Sequence, residues 1–522
     1  MIDSFPQPRS RVLPLNPQSR SPAISSLTED RRIWLLVLGF TLLRVLLAAV
    51  VPLSPQEAYY WSWSRDLAWS YFDHPPLASY GIRLTTAIFG QTAFGIKASA
   101  VLWSLALNLV WLRLIMDMFA DRRLAFWSLA ALNVTVVYEV YGVVIAPDAP
   151  LLAAWAATIW AVWRVSQTGA SRWWYAAGAF LGLACLSKYP AALLGPVVLL
   201  YLAFSPRQRR WLATPHPYLA CLVALAVFAP VLVWNAQHDW ASFAFQTSRR
   251  AAGMGAWRPK YLAELIASQL LMATPYLLVV SIASLLRGWR ERREVAADDR
   301  ALLLLIAGAV PLLVFASASL RSLVKMNWLA PAYWPLIILG VRSILRRRGV
   351  DRRFAIGLGS SAALFVFAAT LISIPNVPLG EGNLWSGWKE AAVRVAQLQA
   401  ALRARGEDSF VFSPGYKISS MLEFYLPGQP RTYAQDIYGQ PALQFDFMPL
   451  ERELKGATGI LVVDDRRGSD VPRSVMAPYF GSIELADSFE ITGFGKHVRR
   501  IDIYRCRNYR GHPRAGRVRN PP

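Results

Sequence analysis

Residues 33–77 read IWLLVLGFTLLRVLLAAVVPLSPQEAYYWSWSRDLAWSYFDHPPL, and this stretch decides the class of fold. Its first part, 33–51, is almost wholly apolar and close to the roughly 20 residues that a helix needs to cross a bilayer. Residues 54–77 then set Glu57, Asp73 and His74 among Tyr59, Tyr60, Trp61, Trp63, Trp69, Tyr71, Phe72 and the Pro75-Pro76 pair. Charged groups at a membrane boundary persist where they meet a substrate, an ion or each other, so this loop is the first candidate for an active site.

The rest of the chain extends the pattern. Of 522 residues 55% are hydrophobic, with 21 Trp, which points to a polytopic membrane protein with a polar remainder. The net charge of +22 lies in short clusters between apolar spans. Such clusters set topology, and no nucleic-acid partner is expected. Residues 1–32 lack the charge pattern and cleavage site of a secretory signal, so span 33–51 is expected to be a retained anchor. Of three cysteines, Cys185 and Cys221 fall within apolar spans and only Cys506 in the polar C-terminal part, which therefore has no disulfide framework.

Apolar runs give eleven spans, near 33–52, 98–119, 124–145, 149–165, 174–188, 190–204, 218–236, 262–286, 301–320, 329–345 and 354–374. With the N-terminus inside, every inner segment is rich in arginine: the arm ending Arg31-Arg32, the Arg122-Arg123 turn, the link from Arg164 to Arg172, and the RQRR, RGWRERR and RRRGVDRR loops. An odd number of spans exports everything after residue 375. The same topology puts the opening loop, Pro147-Asp148-Ala149-Pro150, Ser187-Lys188-Tyr189-Pro190, WNAQHDWASFAFQTSRR and Lys325-Met326-Asn327-Trp328 on one outer face.

These motifs carry a resemblance. QEAYYWSWS and YFDHPPL in the opening loop, PDAPLL, LSKYPA and KMNWLAPAYWP at later turns, and GWKEAA, FYLPGQP and QFDF in the C-terminal part resemble the bacterial branch of the dolichyl-phosphate-mannose protein mannosyltransferase superfamily, glycosyltransferase family 39, which includes the lipid A aminoarabinose transferases. The resemblance implies an α-helical polytopic membrane protein of GT-C-like fold, with about eleven transmembrane helices and a C-terminal periplasmic α/β domain. It implies a bacterial inner-membrane enzyme taking a sugar from a polyprenyl-phosphate carrier to an envelope glycolipid, glycan or protein acceptor. The family usually has Asp-Glu at the head of the first motif; here the pair is Gln56-Glu57, and an amide is no base.

Transfer from a lipid-phosphate sugar has a phosphate leaving group, which needs cations, and an acceptor hydroxyl, which needs a base. Lys188, Lys325 and His74 are the expected phosphate-binding residues, with Arg249 or Arg250 as further candidates. Glu57 or Asp73 is the expected base, and the resemblance adds Asp148 to the catalytic set. Each has a plainer reading: Glu57 as a solvated carboxylate past a helix end, Asp73 as a helix cap, Asp148 as a turn residue, Lys188 as a snorkelling side chain. Glu57 and Asp73 together are also a candidate site for a divalent cation. Tyr59, Tyr60, Asn327 and Trp328 are expected to bind substrate, the loop rings otherwise forming an interfacial aromatic belt. Glu139, inside the third span, costs at least ~2.5 kcal/mol if ionised and unpaired, and is read as protonated and structural.

The expected organisation is a cytoplasmic arm 1–32, a transmembrane domain 33–375 with its catalytic outer loop 53–97, a periplasmic α/β domain 376–508 and a disordered tail 509–522. Strands are expected at 409–412 and 460–463, with a late pair at 483–491 and 498–504, and helices at 391–405 and 419–425. A transporter and a non-catalytic membrane scaffold are the competing classes. Against the first, no internal repeat is evident and most of the candidate residues sit at the outer rim rather than the midplane. Gln56 lends weight to the second.

Overall fold

The computed structural model describes residues 31–253, 257–466 and 473–512, apart from the side chains of 248–253, 381 and 473; the N-terminal arm through residue 30 and tail residues 513–522 lie outside the described residues. The helices of the first part run in the order α1 (Arg31–Val50), α2 (Pro55–Arg65), α3 (Leu77–Phe89), α4 (Ala93–Phe119), α5 (Arg122–Asn133), α6 (Val136–Val143), α7 (Asp148–Thr168), α8 (Arg172–Ser187) and α9 (Leu194–Phe204). They continue with α10 (His216–Gln237), α11 (Ala241–Gly253), α12 (Lys260–Met272), α13 (Pro275–Arg290), α14 (Asp299–Ala318), α15 (Ala330–Arg347) and α16 (Arg352–Ser373). Local sequence explains their starts. Ser54 and Glu57 form a reciprocal capping box on α2, Thr92 caps α4, Asp121 caps α5 and Asp351 caps α16.

Side-chain distribution shows the solvent these helices are built for. On α1, Leu42 is 59% exposed while Arg44, two positions on, is 1% exposed. Apolar outside and polar inside is the arrangement a bilayer selects. Among the described residues six helices are long and apolar enough to cross a membrane, or up to eight if each bent pair, α5–α6 at 71° and α12–α13 at 115°, counts as one span. Helix is present wherever the sequence placed a span, but α7, α8 and the run 189–204 do not meet that measure, so the count of eleven is not reached on length and composition.

Two short helices, α2 and α3, occupy the stretch between α1 and α4, where the sequence suggested a loop. The C-terminal part contains α17 (Trp388–Ala404), β1 (Ser409–Phe412), α18 (Tyr416–Tyr425), β2 (Thr458–Asp464), β3 (Ser482–Gly493) and β4 (Lys496–Arg507). Its sheet order is β1-β2-β4-β3; β1 and β2 are parallel from Ser409↔Thr458, and the other pairs are antiparallel. Every residue of β2 is buried, as a central strand covered on both faces requires. Order continues past the expected boundary at 508. Tyr509 is buried, its hydroxyl donates to the Ile437 carbonyl at 2.5 Å, and its own carbonyl accepts from Gly456 N–H at 2.7 Å.

The C-terminal part packs on the opening helices rather than standing apart. α18 lies along α2, and Tyr59 of α2 contacts Tyr416 and Phe445 at ring separations of 4.3 and 6.2 Å. Tyr59, Trp61, Trp63 and Tyr71 are all buried. These rings form a packed seam, not the interfacial belt read from the sequence, and only Trp69 of the loop is freely exposed.

Candidate active site

The first cluster is built where α7 begins and α8 ends. These two helices pack side by side, and the Ser187 hydroxyl donates to the Pro147 carbonyl, fixing one end against the other. The chain leaves α8 at Lys188 in an extended conformation (φ −159°, ψ 135°). Its ammonium donates to both carboxylate oxygens of Asp148, each at 2.9 Å. Asn327, in the 3-10 turn before α15, donates its amide to Asp148 Oδ1 at 2.8 Å. That turn is held in place by Gln269, which donates to the Met326 carbonyl at 3.1 Å and accepts from the Tyr333 hydroxyl at 2.8 Å. Asp148 opens α7, so its charge also faces the positive end of the helix dipole. All three side chains are buried.

Asp73 stands in the second cluster. It does not cap α3, whose cap position is Pro76 with no side-chain bond. Its Oδ1 accepts from the Tyr59 hydroxyl at 3.2 Å, and its carbonyl accepts from Gln246 Nε2 at 2.7 Å. Gln444 then ties the C-terminal part in, donating its N–H to the Tyr59 oxygen at 3.0 Å and accepting from Phe72 N–H at 2.7 Å through Oε1. Burial, with the Asp73 carboxylate beside them, holds the phenols of Tyr59 and Tyr60 well above their usual range. The Asp148 carboxylate raises the Tyr60 phenol further, so Tyr60 lies near both clusters, and Gln56, the residue that departs from the family pattern, stands one helical turn before it on α2.

Glu57 belongs to neither cluster. It is 0% exposed, and its Oε2 accepts from Lys97 Nζ at 2.6 Å and from Ser54 N–H at 3.0 Å, while Oε1 accepts from Ile145 N–H at 3.1 Å. Both of its oxygens are thus engaged by protein donors, one of them a buried ammonium. Among the described residues no group of three or more His, Cys, Asp or Glu side chains is placed to hold a metal ion. Glu57 is a pin between α2, α4 and the turn that leads into Asp148.

The remaining candidates are spread along the rim. The His74 ring is half-buried, 6.3 Å from that of Tyr60. Lys325 is exposed two positions before Asn327, and the ring of Trp328 packs on Phe315 at 5.3 Å. The side chains of Arg249 and Arg250 lie outside the described residues. In the same segment, His238 folds back on Trp234 with rings stacked at 4.1 Å, and the Tyr189 hydroxyl meets Ser242 at 2.6 Å. All five segments expected on one face are therefore linked to one another by these contacts.

Several partners carry no sequence signal of their own. Lys97 reads as an ordinary residue near a span start, and Gln246 and Tyr416 as loop and helix polarity. Arg44 was hidden by the hydrophobicity of its span; it pairs with Glu139 and Asn133 inside the helices, so Glu139 is an ion-pair partner rather than an isolated acid. A Cβ on Gly142 would stand 2.6 Å from Arg44 Nε, which explains a glycine there.

Residues 73–234 match the family model described as dolichyl-phosphate-mannose-protein mannosyltransferase. The chain is 27% identical over 354 residues, 66% of its length and 72% of the relative's, to the lipid A galacturonosyltransferase RgtD of Rhizobium johnstonii. It is 29% identical over 324 residues to the undecaprenyl phosphate-alpha-4-amino-4-deoxy-L-arabinose arabinosyl transferase of Pseudomonas aeruginosa, covering 58% of this chain and 54% of that protein. The crystal structure of ArnT from Cupriavidus metallidurans superposes with a TM-score of 0.59 at 13% identity, over 94% of this chain and 99% of that one. The same protein bound to undecaprenyl phosphate gives 0.57 at 14% identity. The chain has the ArnT-like GT-C fold and is homologous to the lipid A galacturonosyltransferase RgtD and to the aminoarabinose arabinosyl transferase.

Proposed function

We propose that this chain is a membrane glycosyltransferase that moves a sugar from a polyprenyl-phosphate donor to an envelope acceptor, with inversion at the sugar carbon. The observation that carries the proposal is the convergence of Lys188 and Asn327 on Asp148 beside the Asp73 cluster, in a fold shared with a protein that binds undecaprenyl phosphate. Of the acceptors, lipid A, named for the galacturonosyltransferase relative, stands first.

In a single displacement the acceptor oxygen attacks the sugar carbon as the carbon–phosphate-oxygen bond breaks, and the electron pair leaves with the polyprenyl phosphate. The acceptor proton passes to a carboxylate, and Asp73 is the one we assign, since Glu57 is closed off by Lys97. Lys188 and Lys325 supply positive charge for the departing phosphate, and His74 a ring N–H. Asp148, itself held by Asn327, keeps Lys188 in position, and we assign Tyr60 to meet the sugar.

The arginine-rich loops support an inner-membrane orientation with the N-terminus in the cytoplasm and the site and C-terminal part on the periplasmic side. Mass analysis of envelope lipids from a deletion strain tests the function, with complementation by the wild type and by Asp148→Asn. Loss of one sugar, restored only by the wild type, is expected. An unchanged envelope glycolipid and glycan profile overturns it.

A further inference from the structure

We infer that the end of the helix bundle opposite the reaction site holds the phosphate headgroup of an anionic membrane lipid. Two adjoining cavities of about 190 and 300 Å³ open there, and Ser284, Arg287, Ser343 and Arg347 line both. One lies between α13, α14 and α15, the other between α13, α15 and the start of α16.

The walls carry more positive charge than they neutralise. Arg342 is paired with Asp298 at 3.2 Å and Arg347 with Glu291 at 3.3 Å, while Asp351 is engaged in capping Phe354 N–H at 2.8 Å. Arg287 of α13 and Arg346 of α15, which both line the first cavity, form no ion pair among the described residues, and neither does Arg353 of the second. A guanidinium fork matches phosphate oxygens in pairs, so two unneutralised forks lining one cavity from different helices suit a phosphodiester better than a carboxylate or a neutral group.

Placement selects a lipid over a soluble anion. The cavities open between α13 and the membrane-length helices α14, α15 and α16, with Val279, Leu305 and Leu339 in their walls. Beside them Val279, Ile282 and Leu286 of α13 are exposed along one apolar face on which acyl chains can lie. A charge that only signalled topology would need no such cleft. The site lies at the arginine-rich end: a Cβ at Gly349 would come within 3.5 Å of the Arg123 guanidinium, which joins this loop to the Arg122-Arg123 turn. Anionic lipids concentrate in the leaflet that such loops face.

Native mass spectrometry of the purified full-length protein, after exposure to mixed cardiolipin and phosphatidylcholine vesicles, tests this. Wild type is expected to retain cardiolipin in preference to phosphatidylcholine, and Arg287→Ala/Arg346→Ala to retain it roughly tenfold or more less strongly. Arg287→Lys/Arg346→Lys should fall between, since it keeps charge and loses the forks. Equal retention of the two lipids by wild type overturns the proposal without recourse to any variant. So does displacement of cardiolipin by inorganic phosphate at comparable concentration, which would mark a site for a soluble anion.

Discussion

Lys188 and Asp148, 40 residues apart in sequence, share two hydrogen bonds of 2.9 Å because the end of one helix is packed against the start of its neighbour. A lysine that merely reached for the membrane surface would not be buried with a carboxylate. The pair keeps an ammonium fixed beside the carboxylate loop, and on our assignment Asp148 holds it in position for the donor phosphate.

Removing the cation should therefore strike turnover hard. Lys188→Ala is expected to lower transfer by about 10²–10³-fold, the loss typical of a preorganised charge at a developing anion, with the protein still inserted and monodisperse. Asp148→Asn, which frees the ammonium from its anchor, should cost activity and raise the donor KM. Steady-state assays with a polyprenyl-phosphate sugar separate the two effects, and wild-type rates in both variants would reject the site.

Glu57 should behave as a structural residue. Breaking a buried ion pair by removing one partner typically costs about 3–5 kcal/mol, because the other charge is left stranded. Glu57→Ala is accordingly expected to lower the unfolding temperature in detergent, and Lys97→Met to do the same. The double variant Glu57→Gln/Lys97→Met should recover part of the loss, and its folded fraction should keep turnover near wild type. A Glu57→Gln protein of unaltered stability but no activity would restore Glu57 as the base.

These two carboxylates mark how far the sequence could be read. Hydropathy and arginine placement located the helices and brought Asp148, Lys188 and Asn327 to one face, because those signals depend only on local composition. The strands of the C-terminal part were equally legible, β2 as an apolar run and β3–β4 as a late pair. The partner of Glu57 was not, since Lys97 lies 40 positions away and nothing in its neighbourhood distinguishes it from a span-end lysine. Arg44 escaped for the same reason, and so did the seam between α2 and α18. Its rings are those of an interfacial belt in composition, and only tertiary packing makes them core.

On our assignment Asp73 takes the acceptor proton. Asp73→Asn should lower kcat by about 10²–10⁴-fold with little change in donor KM, since the amide keeps the shape and loses the basicity. Tyr59→Phe removes one donor to Asp73 and should cost no more than about tenfold, the worth of a single net hydrogen bond. Comparable losses from both would point to a packing defect instead, which near-ultraviolet circular dichroism would reveal.

The seam between α2 and the C-terminal part should respond to pH through Glu423. This carboxylate is fully buried, accepts from Arg65 at 2.6 Å and from Arg431 at 2.9 Å, and lies close to Glu451, which pairs with Arg431 at 3.3 Å; Asp66 pairs with the same arginine. Burial pushes its carboxyl up to about 7 from an ordinary 4.5, against the pull of Arg65. The folded state therefore binds a proton that the unfolded chain releases between those values. Its contribution to stability is complete below about 4.5, declines as pH rises to about 7 and is flat above. Asp436, raised to about 7 by burial and by Asp446, acts in the same direction. Unfolding temperature in detergent should thus fall between about pH 4.5 and pH 7, and fall less in Glu423→Gln, which fixes the neutral form. Identical slopes for the two proteins would show that Arg65 and Arg431 keep Glu423 ionised throughout, and that the seam is held by charge rather than by a shared proton.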